Sequence, residues 1–151
     1  MVPAYHKSLK RKEVQAPKFY YFDVGIANYL LHRKDLQRGT PEYGHAFEHF
    51  VIQEIIAYLG YKNSDEKLSY WHTYTGNEVD AIIGNRVAIE IKSANMVQPK
   101  HLKGLQAFAE EYPNFDRMIV SWDPINRKTE DGIRIIFIRD FLQELWSGKL
   151  F

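Results

Sequence analysis

Residues 78–92, Glu-Val-Asp-Ala-Ile-Ile-Gly-Asn-Arg-Val-Ala-Ile-Glu-Ile-Lys, leave this chain few ways to fold. Val79, Ala81 and Ile83 alternate with Glu78, Asp80 and Ile82; Val87, Ile89 and Ile91 alternate with Ala88, Glu90 and Lys92. A period of two is the mark of a strand. Gly84-Asn85 supplies residues that tolerate positive φ at a hairpin turn. Residues directly opposite one another in a hairpin point to the same face. For the two apolar rows to share a face, Ile83 must lie across from Val87. That leaves a loop of residues 84–86 with a bulge. Asp80 is then expected across from Glu90, and Glu78 across from Lys92. A shorter loop would put Asp80 and Glu90 on opposite faces. Facing carboxylates repel unless positive charge lies between them, and Lys92 and a divalent cation are the two candidates.

The 151 residues suffice for a single domain with a real core, expected over residues 18–151 behind a basic, partly ordered lead-in at 1–17. The lead-in carries Lys7, Lys10, Arg11 and Lys12, with Lys18 nearby, which read as solvated or partly ordered or, more sharply, as an arm that touches phosphate. A net charge of +1 gives no global basic field announcing nucleic acid, though a local patch would suffice. With no cysteine, disulfides, thiolate zinc sites and cysteine nucleophiles are excluded. Neither a signal peptide nor a membrane-spanning apolar run is visible, so a cytoplasmic protein with no membrane partner is expected.

The remaining elements follow from caps and periodicity. Residues 18–22 read as a short aromatic strand, and Asp23 caps a helix over 24–31 with Ile26, Ala27, Leu30 and Leu31 as its buried stripe. Thr40-Pro41-Glu42 starts a second helix, ended near Leu59 by Gly60. Strands are expected at 69–75, 118–122 and 133–138, a helix from Pro99 to about Tyr112, and a last helix over 141–146 capped by Asp140. Residues 126–132 read as a charged loop. A hairpin followed by a helical crossover and further strands implies an α/β domain, a central mixed sheet flanked by helices. Glu48 sits at the edge of the second helix's apolar stripe. It is either drawn toward the core, where it needs a partner or a metal, or exposed in the first turns, where it suits the helix dipole.

Glu48, Asp80 and Glu90, with Lys92 beside them, suit a hard cation such as Mg²⁺ or Mn²⁺, and the Ile91 carbonyl offers a further ligand. A metal there would acidify a bound water and stabilise charge on a phosphoryl oxygen, with Lys92 orienting the water or neutralising the transition state. Other sites are weaker. His45 and His49 have metal-ligand spacing without the Glu of H-E-x-x-H. His72 reads as structural, and Gln106 as surface or, less readily, leaning toward the site. Ser93 and Ser121 lack a nucleophile elbow.

The spacing also resembles the active site of the PD-(D/E)XK nuclease superfamily. More narrowly, the chain resembles the nuclease-like domain at the C-terminus of a family of prokaryotic AAA+ ATPases. The resemblance is carried by Lys18-Phe19-Tyr20-Tyr21-Phe22-Asp23-Val24-Gly25, Phe47-Glu48-His49-Phe50-Val51, Tyr70-Trp71, Glu78-Val79-Asp80 and Ile89-Glu90-Ile91-Lys92-Ser93, over about residues 18–110. It implies a restriction-endonuclease-like fold, Asp80 and Glu90 as metal ligands, Glu48 as a supporting ligand and Lys92 as the catalytic lysine. No G-x-x-x-x-G-K-[ST] loop is present, so the chain reads as a fragment or a free-standing relative of such ATPases.

Three readings follow. The first is a metal-dependent nuclease acting on DNA, with RNA as the lesser substrate. The second is a catalytically idle module for assembly with an AAA+ ATPase or a second copy; Trp146 and Phe151 read either as a dimer contact or as aromatics buried at the chain end. The third is a structural ion pair of Glu90 and Lys92 with Glu78, of a kind that contributes little.

Overall fold

The computed structural model describes residues 1–5, 16–33 and 35–150. Its strands are β1 (Leu68–His72), β2 (Glu78–Ile83), β3 (Val87–Lys92), β4 (Asp116–Ser121), β5 (Arg127–Lys128) and β6 (Arg134–Phe137). They form one mixed sheet in the order β1-β2-β3-β4-β6-β5. The hairpin has the expected register, with Ile83 opposite Val87 and Ala81 opposite Ile89, and Gly84 takes positive φ in its loop. The β3–β4 and β4–β6 pairs are parallel; β1–β2, β2–β3 and β5–β6 are antiparallel. The sheet is thus the mixed α/β architecture expected, with β5 a short edge strand inside the segment read as a charged loop.

Among the described residues four α-helices accompany the sheet: α1 (Val24–Leu30), α2 (Pro41–Tyr61), α3 (Lys103–Glu111) and α4 (Ile138–Trp146). On one face Val51, Ile55 and Tyr58 of α2 and Phe141 and Leu145 of α4 pack on Ala81, Ile83, Ile89, Ile91 and Val120. On the other, Leu105 and Phe108 of α3 pack on Ile82, Ala88, Ile119 and Ile135. The hairpin strands are therefore buried on both faces, as central strands between helix layers must be. No helix among the described residues is long and apolar enough to cross a membrane.

Several local expectations give way. The stripe of α1 is not buried: Ala27 is, but Ile26, Leu30 and Leu31 are exposed, because so short a helix packs on α2 along a narrow seam. Helix α2 runs through Gly60 to Tyr61. Asn63 adopts the positive φ, with the amides of Asn63 and Ser64 bonded back to the Gly60 and Leu59 carbonyls. Residues 18–22 form only an isolated bridge, Lys18 to Val2. Pro99 opens a short 3-10 turn (Pro99–His101) before α3, and α4 starts at Ile138, ahead of Asp140. In the expected lead-in, Val2 and Tyr5 are buried and Ala4 bridges Tyr70 at the β1 edge. Lys7, Lys10, Arg11 and Lys12 lie outside the described residues, as does Phe151.

Candidate active site

A bulge in β2 builds the site. From the Ser69–Ile82 pair to the Trp71–Val79 pair, β1 advances two residues while β2 advances three. Asp80 and Ala81 thus share the space opposite Tyr70. Such an extra residue bends a strand and re-aims its side chains. Its effect shows in the packing: Val79 joins Ile82 on the α3 side of the sheet, although the plain alternation groups it with Ala81 and Ile83. The β2–β3 pairing runs from Ile83–Val87 to Ala81–Ile89. Beyond it, the Ile91 amide donates to Asp80 Oδ2 at 2.8 Å, so a carboxylate takes the rung of the ladder. The Ile91 carbonyl, a candidate ligand, belongs to this segment.

Asp80 and Glu90 are both buried, and Lys92 joins them. Its Nζ lies 2.5 Å from Glu90 Oε1 and 3.9 Å from Asp80 Oδ2. Among the described residues, buried Glu90 Oε2 has no hydrogen-bond partner. An orphaned carboxylate oxygen costs about 1–3 kcal/mol or more, so it marks unspent capacity to bind. Helix α3 seals this side: a Cβ at Gly104 would overlap the Glu78 carbonyl oxygen and lie 3.5 Å from Glu90 Oε2.

On the other side of Asp80 stands Lys18. Its Nζ is 3.5 Å from Glu48 Oε1 and 3.7 Å from Asp80 Oδ1, and it pairs with Glu78. Tyr20 donates to Glu48 Oε1 at 2.6 Å. Glu48, for which two readings stood, therefore turns inward and finds partners. Glu78, expected across from Lys92, instead takes the ammonium of Lys18, because the bulge breaks the simple alternation of β2. Lys18 was expected with the basic lead-in and not among carboxylates, and Tyr20 and this role of Glu78 were not foreseen. The signal available was the spacing of Lys18 and Tyr20 within 18–22, which puts both on one side of an extended segment.

The electrostatics follow from burial. Desolvation raises the Asp80 pKa, and the Glu48 charge adds to it, against the opposing pull of Lys92, Lys18 and the Ile91 amide. Desolvation and then Asp80 raise that of Glu90. Burial works to lower Lys18 and Lys92, but the surrounding carboxylates outweigh it and hold both above the ordinary lysine value. Burial and the Glu48 charge likewise raise the Tyr20 phenol. Among the described residues no three His, Asp or Glu side chains lie close enough together to hold a metal ion as they stand. The two ammonium groups supply the positive charge between the carboxylates. The donor set nonetheless fits a hard divalent cation, being carboxylate oxygen throughout, with Glu90 Oε2 unspent.

The other candidates fall outside this cluster. Gln106 donates to Asp131 Oδ2 at 3.0 Å, away from the site. His49 is buried with Nε2 2.6 Å from the Tyr21 carbonyl oxygen, a structural role, and His72 is exposed at the end of β1. Trp146 packs edge-on with Tyr58 and bonds Glu54.

A family model described as a domain of unknown function (DUF4143) matches residues 43–141, a region that holds Glu48, Asp80, Glu90 and Lys92. The curated proteins and the solved structures yield no match.

Proposed function

The chain belongs to the DUF4143 family of domains, and we propose that it is a divalent-metal-dependent nuclease of the PD-(D/E)XK type that hydrolyses DNA phosphodiester bonds. The observation that carries the reading is the buried Asp80–Glu90 pair sharing Lys92, with one Glu90 oxygen unpartnered. A purely structural pair gains nothing from burying two carboxylates against each other, since their repulsion and desolvation both cost stability. Asp80 and Glu90 would hold Mg²⁺ or Mn²⁺, with Glu48 in support and the Ile91 carbonyl as a further ligand. Bound there, the metal would acidify a water and stabilise charge on a phosphoryl oxygen. Lys92 keeps its proton, held by both carboxylates, and presents a fixed positive charge where negative charge develops. Tyr20 fixes the Glu48 carboxylate by its hydrogen bond.

The test is cleavage of plasmid, linear and single-stranded DNA with Mn²⁺, alongside an RNA control. Asp80→Asn and Lys92→Met are each expected to lose roughly 100-fold or more in rate. Cleavage that survives both substitutions would sink the reading. A second reading, an idle module kept for assembly with an AAA+ ATPase or with itself, is favoured by one observation: Phe22, Ile26, Tyr29, Leu30 and Leu31 form an exposed apolar face around α1. Absence of cleavage together with self-association that Leu30→Glu abolishes would support it.

A further inference from the structure

Resting on the nuclease reading, we propose that Lys18 holds the Glu48 side of the site, and that the divalent cation gains Glu48 as its supporting ligand by displacing the Lys18 ammonium group. Lys18 Nζ is surrounded by carboxylates of Glu48, Glu78 and Asp80, drawn from α2 and β2. A cation that takes Asp80 with Glu48 in support would meet this ammonium group. Lys92 lies on the other side of Asp80, against Glu90 Oε1, and leaves the Glu48 side to Lys18. The charges point the same way. When Lys18 leaves, Glu48, Glu78 and Asp80 lose the positive charge between them, and a divalent cation restores it. The unpartnered Glu90 Oε2 shows that the lysines do not exhaust the acceptors.

The exchange needs only a side-chain motion. The Lys18 backbone is pinned on both sides by Val2, with amide-to-carbonyl bonds of 2.8 and 2.9 Å. Its ammonium lies 5.3 Å from the centre of the Tyr70 ring, and the side chain is about a quarter exposed, so a path to solvent exists. A lysine swung outward on a fixed backbone remains at the rim of the site.

Calorimetric titration with Mn²⁺ and Mg²⁺ tests this on the full chain, wild type against Lys18→Met. Removing a competing charge from the site is expected to tighten metal binding about tenfold or more. Without metal, Lys18→Met is expected to melt below wild type, and Mn²⁺ to raise its melting temperature by more than it raises that of wild type. If Lys18→Met fails to fold, the charge-balanced pair Lys18→Met with Glu78→Gln carries the same comparison. In wild type, acylation of Lys18 followed by mass spectrometry is expected to increase when Mn²⁺ saturates the site. Equal or weaker binding in the Lys18 variants, or Lys18 labelling unchanged by saturating Mn²⁺, would overturn the proposal while leaving the nuclease reading intact. Loss of binding in Asp80→Asn with no effect of Lys18→Met has the same meaning. No binding in any variant would overturn both.

Discussion

Asp80 and Glu90 are ionisable groups held where ionisation is unfavourable. Replacing either by its amide keeps the shape and removes the charge. Asp80→Asn and Glu90→Gln are therefore expected to stabilise the metal-free protein at neutral pH, by roughly 1–3 kcal/mol each and less than additively. Urea unfolding in EDTA measures this; destabilisation by both would show that the lysines overcompensate the burial. The same pair sets a pH dependence. Unfolded carboxyls ionise near pH ~4, whereas these two hold their protons higher in the folded state. Above that range the native protein binds more protons than the unfolded chain, so stability falls as pH rises from the ordinary carboxylate range through neutrality. Melting curves in EDTA across this window are expected to slope downward, and saturating Mn²⁺ to flatten them. Asp80, Glu90 and Lys92 were legible in the sequence because two-residue periodicity and a local turn fix their neighbours. Lys18 was not, since its place beside Asp80 depends on a segment far away in the chain.

Helix and strand boundaries show how far local signals reach. Gly60 has the residue type of a helix stop, but lies inside α2, and a Cβ there would meet nothing within 4 Å. Gly60→Ala is expected to stabilise the protein by about 0.5–1 kcal/mol, because alanine restricts the unfolded chain and suits the helix. Gly104→Ala should do the reverse. Its Cβ would strike backbone at Glu78, which cannot step aside as a flexible side chain can. A loss of about 1–3 kcal/mol is expected, with weakened metal binding as α3 is pushed off the start of β2. Chemical unfolding of the two variants side by side checks both signs. The β2 bulge was hidden because what packs around the strand settles it, not residue type, whereas the helix stop fell to Asn63, a residue type that also tolerates positive φ.

The two faces of the sheet are joined at the chain's start. Val2 lies in the core under α2 and α4, while Tyr5 packs edge-on against Phe108, Tyr112 and Phe115 on the α3 side. Residues 2–5 also cover part of the β1 edge and hold the Lys18 backbone. Tyr5→Ala is accordingly expected to cost roughly 2–4 kcal/mol in thermal or urea unfolding, far more than a substitution in a solvated arm. A change under about 0.5 kcal/mol would mean that this segment is not part of the folded unit. The exposed apolar face around α1 is the other large-scale feature, and sedimentation at increasing concentration reports whether it drives association.

Pattern and turn chemistry were enough to specify the hairpin, its register, the α/β class, and the meeting of Asp80, Glu90 and Lys92. All of these rest on interactions between residues near in sequence, where periodicity and positive-φ turn residues leave little choice. Packing alone settled the inward turn of Glu48, the capture of Glu78 by Lys18, and the exposure of α1's apolar stripe. Each depends on which distant surface arrives opposite. Burial, and the charge that must accompany a buried carboxylate, are properties of that assembled neighbourhood and not of any one stretch of chain.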